Sequence, residues 1–394
     1  MPLTLAAAKA KALSAIWTFP SVLIAAISIA WGAEASQVIF SQGLALAILA
    51  WLQTTPEFFV EGTIAWSQDI TLMTANFTGA TRLLIGFGLP LVYFTSWIAH
   101  RRKGAKKKLV VKLSGADSVP VMGMFLPFLY GFVIVLKASL TIYDSIVLIT
   151  LYIVYLIILQ RIPSQGEENI EEMERVPRYI LKRKPAVRNL LILACFLGGG
   201  LLLFLTVHPF VESMKGLATV LGLSSYFFIQ WVAQFLSEFP EFFSAWYWAR
   251  RPGKLTMAML NPVSSAVAEL TLLVAIIPIV YSVSMGKIST IPFDWQHQEE
   301  ILMTCLQAGL GFVLLSDMRL RWWEATLLAV LWFGQIVVQV FTPYLPHLPY
   351  KTIFAGIYAA WIVAMLVGSF KGKYHIRVFG EFRQVIRDHI LKKA

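Results

Sequence analysis

Residues 53–59 read "QTTPEFF" and residues 237–243 read "SEFPEFF", which puts Glu57 and Glu241 184 positions apart. Each stretch sets a proline and a glutamate inside a long apolar segment. Proline in a helix interior removes a donor and clashes with the preceding turn. A carboxylate in hydrocarbon costs at least roughly 2.5–3.5 kcal/mol on insertion scales. The fold turns on whether these segments cross a membrane, and on what two such costly pairs do there.

The chain of 394 residues is 58% hydrophobic and 14% charged, with a mean hydropathy of +0.69. That lies outside soluble usage and indicates a polytopic membrane protein. Stretches able to cross roughly 30 Å of hydrocarbon number about eleven: 16–33, 38–66, 70–98, 118–137, 141–160, 189–207, 218–248, 255–284, 298–316, 322–342 and 352–370. A net charge of +11 would otherwise suggest nucleic acid. The basic residues instead gather between spans, at "RRKGAKKK" (101–108), "YILKRKPAVR" (179–188), "RRPGK" (250–254), "RLR" (319–321) and in the tail from Lys371. Placing residues 101–108 in the cytoplasm puts 26 of the 33 Lys and Arg on that face. This is the positive-inside pattern. It expects the N-terminus outside, the C-terminus in the cytoplasm, and residence in the plasma (inner) membrane; attraction of the basic tail to anionic lipid is the lesser reading. Partners are then the lipid bilayer and inorganic cations, with no nucleic acid.

The first span resembles a signal peptide, since Lys9 and Lys11 precede an apolar run that ends in "GAEA" (32–35). An outside N-terminus requires this span to be retained, so retention is expected. Cys195 and Cys305 stand in apolar runs without a CxxC or His-rich companion, which suggests neither disulfide nor zinc.

The polar insertion 161–188 separates five spans from the next five, and span counting gives the two sets opposite orientation. That is the arrangement of inverted-repeat transporters. The expected divisions are a first repeat at 1–160 with its motif at 52–86, a cytoplasmic linker at 161–188, a second repeat at 189–342 with its motif at 236–270, and an extra span and basic tail at 343–394. Setting Glu57 on Glu241 aligns "LQTTPEFFVEGTIAWSQDITLMTANFTGATRLL" with "LSEFPEFFSAWYWARRPGKLTMAMLNPVSSAVAEL". Asn76 follows Glu57 by 19 residues and Asn261 follows Glu241 by 20. The fold expected is an all-α polytopic membrane protein of two inverted-topology repeats, about five transmembrane helices each, plus an extra C-terminal helix.

Pro56 and Pro240 should break their spans near the middle. Such a break is tolerated in lipid only where it is buried in protein or lines a wet cavity. The freed carbonyls there can bind a cation, and the adjacent glutamate supplies charge. The alternative is a pair of simple kinks whose glutamates pair with Arg82 or a hydroxyl.

These paired hairpins resemble the alpha repeats of the sodium/calcium exchanger group, within the cation/calcium antiporter superfamily. Those repeats carry a Gly-Thr-Ser-x-Pro-Glu stretch and then an Asn-x-x-Gly-Ser-Asn stretch. The first repeat here keeps Pro56, Glu57, Asn76 and Gly79, and the second keeps Pro240, Glu241, Asn261 and Ser265. The resemblance implies that Glu57 and Glu241 are the central cation ligands and that Glu269 is a further acidic ligand. It also implies hydroxyl or carbonyl ligands at Thr54, Ser237 and Ser265, and keeps Asn76 and Asn261 in the metal-ligand set. Four positions depart from the pattern. Gln53 replaces a threonine, Ala80 a serine and Leu84 a polar ligand, while Glu238 replaces a serine.

Calcium takes about 6–8 oxygens, and magnesium fewer protein ligands with more water. Glu57, Glu241, Glu238, Glu269 and carbonyls beside the prolines suit a hard divalent cation and argue against soft metals. Carboxylates crowded with no cation between them favour proton uptake, so protons join sodium as candidate counter-ions. Arg82 either fills a cation position as a fixed charge or pairs with Glu61 or Asp69 to hold helices together. Glu61 is a candidate ligand, proton relay or partner of Arg82. No HExxH, GxSxG or Walker-type loop is present, so no enzyme activity is expected, and no cofactor beyond the transported cation. Asp294 and His297 fall in an expected outside loop. The reading is a secondary antiporter exchanging calcium for sodium or protons by alternating access. A magnesium or other cation transporter on the same fold, or an inert membrane scaffold, is the alternative.

Overall fold

The computed structural model describes residues 5–36, 54–102, 109–162, 173–251, 253–341, 349–372 and 374–391. The first repeat contributes α1 (Leu5–Ser36), α2 (Thr55–Trp66), α3 (Ile70–Arg102), α4 (Ser118–Lys137) and α5 (Ile142–Arg161). After a short linker helix α6 (Arg175–Leu181), the second contributes α7 (Pro185–Leu221), α8 (225–237), α9 (Phe239–Ala249), α10 (Leu255–Ser284), α11 (Trp295–Leu315) and α12 (Trp322–Phe341). Helix α13 (Tyr350–Phe370) is the extra span, and α14 (378–391) follows it.

Among the described residues, eight helices are long and apolar enough to cross a membrane. The other three expected spans fall short of that measure for local reasons. The first part of 38–66 lies outside the described residues. The span 218–248 is broken at Glu238. Helix α11 is a continuous 21 residues, but its first turns carry Gln296, Gln298, Glu299 and Glu300.

Opposite orientation of the repeats can be read from two small strand pairs. Within a repeat, successive spans end on alternate faces of the membrane. Strand β1 (Val110–Lys112) follows the third span of the first repeat, and β2 (Ser139–Leu140) follows the fourth. Strand β3 (Ile291–Pro292) follows the third span of the second repeat, and β4 (Arg319–Arg321) follows the fourth. The ladders join β1 to β4, with Val110 opposite Arg321, and β2 to β3, with Leu140 opposite Ile291. A third-span exit meets a fourth-span exit only when the repeats enter from opposite faces. Helix packing is reciprocal in the same way: α2 packs on α10 as α9 packs on α3, and α3 on α11 as α10 on α4.

Helices α1 and α7 lead the two repeats and pack along their lengths. Both are longer than their sequences suggest, 32 and 37 residues, and the loop expected at 208–217 is helical. Its polar residues are satisfied in place, because Glu212 pairs with Lys11 and, at 3.1 Å, with Lys215. Close approach depends on small residues: a Cβ on Gly199 would lie 2.9 Å from the Ala25 carbonyl, and one on Gly216 2.7 Å from the Ala12 nitrogen. Such contacts are how helices associate where lipid removes the hydrophobic driving force. The outer surface is apolar, with Leu136, Leu197, Leu201 and Phe204 exposed, as a lipid-facing surface requires.

The loops are capped deliberately. Ser114 with Asp117 and Thr141 with Asp144 form capping boxes. Asp294, expected to be a solvated loop residue, is the N-cap of α11 and accepts from the His297 nitrogen at 3.0 Å. That bond, with the neighbouring imidazole, holds its carboxyl below the usual range. Helix α14 is tied back beneath the bundle, where the Arg377 and Val378 nitrogens donate to the Ser316 carbonyl at 2.8 and 2.9 Å.

Candidate functional site

The two proline–glutamate stretches end up in the same role. Helix α8 stops at Ser237, Glu238 sits at φ −87° and ψ 4°, and α9 restarts at Phe239 with Pro240 in its first turn. Helix α2 starts at Thr55 with Pro56 in its first turn and Thr54 before it. Gln53 lies outside the described residues. Glu57 and Glu241 therefore both occupy the first turn of a helix, where the peptide dipoles favour negative charge. Each repeat also carries a π-helical turn at matching positions, Leu84–Gly88 and Glu269–Leu273, a feature frequent at functional sites.

Glu57, Glu238, Glu241 and Glu269 are all buried, none more than 1% exposed, and they act on one another electrostatically. Glu238 and Glu269 lie within hydrogen-bonding reach, a contact that bonds only when one of them carries a proton. The Thr81 hydroxyl is the other polar group beside Glu269. Both carboxylate oxygens of Glu238, Glu241 and Glu269, with Glu57 Oε2 and Ser265 Oγ, are buried without a partner. Buried polar atoms are almost always paired, so this many unpaired anionic oxygens fits a place for a hard cation. The donors are oxygens throughout, as calcium requires. Among the described residues, no three Asp, Glu, His or Cys side chains converge closely enough to hold a metal ion in this conformation.

The neutral residues divide into neighbours and braces. Thr54 and Ser237 are buried; Ser237 lies beside the Glu57 carboxyl while its hydroxyl donates to the Ala233 carbonyl at 3.2 Å. Asn76 gives its amide hydrogens to Glu57 Oε1 and, at 2.7 Å, to Glu61 Oε2. Asn261 donates to the Glu241 carbonyl at 3.0 Å and so holds the first turn of α9. In this conformation both asparagines act as donors and not as oxygen ligands.

Arg82 corrects one expectation. It pairs with neither Glu61 nor Asp69 but forms a buried ion pair with Glu300 of α11. Its other donors reach the Thr78 carbonyl at 3.1 Å and Gln335 Oε1 at 3.0 Å, and its guanidinium lies 5.2 Å from the Trp231 ring. Glu300 also takes Lys351 of α13 and Gln230 of α8, each at 2.7 Å. Arg82 is thus a link between helices and does not fill a cation position among the four glutamates. Glu300, Lys351, Gln230 and Gln234 carried no motif in the sequence.

Gly79 marks where α3 and α8 touch backbone to backbone, because a Cβ there would sit 2.3 Å from the Gln230 carbonyl oxygen. Gly79→Ala should destabilise by about 1–3 kcal/mol or more, the cost of overpacking a rigid contact. Thermal unfolding in detergent checks this against Gly62→Ala, whose Cβ meets nothing within 4 Å. Equal melting temperatures for the two variants would contradict the contact.

The site lies between two homologous halves, and comparison with known proteins gives the same division. The sequence matches the family described as "Sodium/calcium exchanger protein" over residues 10–160 and 191–341, once for each repeat. Its structure is similar to the crystal structure of an H+/Ca2+ exchanger, CAX, with 30% identity, a TM-score of 0.84, and coverage of 96% of this chain and 91% of that one. It shares its fold with the sodium-calcium exchanger NCX_Mj soaked with 2.5 mM Na+ and 10 mM Sr2+, at 16% identity and a TM-score of 0.56, covering 85% of this chain and 99% of that one. A second NCX_Mj structure, soaked with 100 mM Na+ and 10 mM Sr2+, gives 17% identity and a TM-score of 0.56, covering 83% and 98%. A search of curated proteins returned no match. Since both halves match the profile and nearly the whole chain aligns with an exchanger, this chain belongs to the sodium/calcium exchanger family.

Proposed function

We propose that this chain is a secondary active antiporter that exchanges calcium for protons by alternating access. Glu57 and Glu241 hold the cation between the two half-helix starts, Glu238 and Glu269 complete its charge balance, and Thr54, Ser237 and Ser265 supply neutral oxygens. The observation that carries this reading is the set of four buried carboxylates, drawn from both repeats, that between them leave seven oxygens without a hydrogen-bond partner, Asn76 reaching only Glu57 Oε1. One divalent cation balances two of four negative charges. Ionised groups left unpaired in a buried site are very costly, so the remaining charge calls for protons, and more of them when calcium leaves. Sodium would need neutral oxygen sites of its own, and Gln53, Ala80 and Leu84 have thinned these.

Repeats 1–160 and 189–342 form the gate, the linker 161–188 joins them in the cytoplasm, and 343–394 stands outside the symmetric pair. The N-terminus lies outside and the C-terminus in the cytoplasm, in the plasma (inner) membrane. An inert scaffold would need Arg82 to neutralise the site, and Arg82 is committed to Glu300.

Flux into proteoliposomes tests this. An inward calcium flux should follow an imposed pH gradient and persist without sodium, with little magnesium carried. A flux that follows only a sodium gradient would overturn the proton coupling, and no gradient-driven flux of any cation would overturn the transport reading.

A further inference from the structure

We infer that Gln234 is a positioning residue that decides which end of the Asn76 amide faces Glu57, and that the two amides turn over together as the cation enters. The inference rests on the reading of Glu57 as a cation ligand. Gln234 lies on α8, fully buried, and its Nε2 donates to Asn76 Oδ1 at 2.8 Å. With Oδ1 held there, the Asn76 nitrogen must face the two carboxylates, Glu57 and Glu61. This orientation suits a site without its cation, since the amide hydrogens stand where positive charge belongs. It opposes a loaded site, because a cation on Glu57 needs an oxygen beside it and repels N–H.

A half-turn of the Asn76 amide exchanges its oxygen and nitrogen with almost no change of shape. Oδ1 then faces Glu57, and the nitrogen faces Gln234, which must offer an acceptor. Gln234 Oε1 is such an acceptor: it is buried and has no partner. The resting orientation is nevertheless favoured. Gln234 Nε2 also donates to the Asn76 carbonyl at 3.2 Å and the Ile229 carbonyl at 3.3 Å, and both bonds are lost on turning. The pair thus weights the site toward release. It occurs in one half only, since the matching position of the first repeat is Ala50 and Asn261 is spent on the Glu241 carbonyl.

Uptake of radiolabelled calcium into proteoliposomes should be compared for wild type, Gln234→Met, Gln234→Glu and Glu241→Gln. Removing the donor should lower the KM for calcium about three- to tenfold in both Gln234 variants, the fold-change of one net hydrogen bond. In Gln234→Glu the maximal rate should also fall, because an acceptor alone holds the loaded orientation. A purely structural role for Gln234 predicts less folded protein with KM unchanged. A charge effect predicts a lower KM in Gln234→Glu and the wild-type value in Gln234→Met. Either result overturns the amide exchange. If a variant transports too slowly for KM, the calcium concentration giving half-maximal thermal stabilisation of the purified protein reads the same affinity. Wild-type transport by Glu241→Gln would instead remove the proposed site. Loss of transport in that variant beside a wild-type KM in Gln234→Met removes the amide exchange alone.

Discussion

Glu241→Gln should lose gradient-driven calcium uptake by at least about 100-fold while remaining folded. Groups that merely orient a metal ligand cost about 10–100-fold in affinity when removed, and a charged ligand should cost at least as much. Glutamine keeps the shape of the side chain, no side chain donates to either Glu241 carboxylate oxygen, and the amide oxygen can still accept from the residue's own N–H, so no existing contact is broken. Replacing a buried, donor-free carboxylate with an amide should leave the melting temperature without calcium unchanged or raised. Stabilisation by added calcium should disappear. Calcium uptake at the wild-type rate, or calcium-dependent stabilisation that survives, would exclude Glu241 from the site.

Glu300→Gln should be the most damaging change outside that site. Among the described residues, Glu300 is the carboxylate shared by Arg82 and Lys351, and without it two cations face each other inside the protein. Breaking a buried pair by removing one partner costs about 3–5 kcal/mol, which should lower Tm by at least about 5 °C. Arg82→Met should be milder, because Glu300 keeps Lys351 and Gln230, both at 2.7 Å. Lys351→Met should be milder too, because Arg82 remains. The double variant Arg82→Met, Glu300→Gln should recover much of the loss, leaving only Lys351, which is 17% exposed and can reach water. Equal losses in all three single variants would show that charge balance is not what the cluster provides. The same cluster joins the eleventh span to the bundle: Lys351 at its start pairs with Glu300 of α11, which in turn holds Arg82 on the helix that carries Asn76.

Much of this architecture was legible in the sequence because membranes constrain it strongly. Apolar run length marked the spans, Pro240 marked the break in the seventh span, and the spacing of Glu57 to Asn76 and Glu241 to Asn261 marked the repeat. Span counting gave the repeats opposite orientation, which the strand pairing bears out. What stayed hidden depends on contacts between distant segments. Glu300 follows "QHQE" in the first turn of the span expected at 298–316, and nothing local ties it to Arg82, 218 positions away. Gln230 and Gln234 are neutral residues in "FFIQWVAQF", where neither period nor charge signals a role. The helical stretch through Pro209 carries a proline and charged residues that interrupt its apolar run, and the ion pair that supports it comes from Lys11 of the other repeat. The donor role of Asn76 also escaped, because spacing marks the residue and not which end of its amide faces the carboxylates.

The crossed strand ladders have a consequence for how the chain is made. Strand β1 leaves the ribosome more than 200 residues before its partner β4, and β2 likewise waits for β3. Neither half can close its own ends, so the first five spans must wait in the bilayer with open strand edges and with Glu57 and Glu61 lacking Gln234 behind their amide brace. Final packing is then a late, whole-chain event. A ribosome stalled after the linker would leave behind an intermediate that chaperones or proteases should recognise, and not half a transporter.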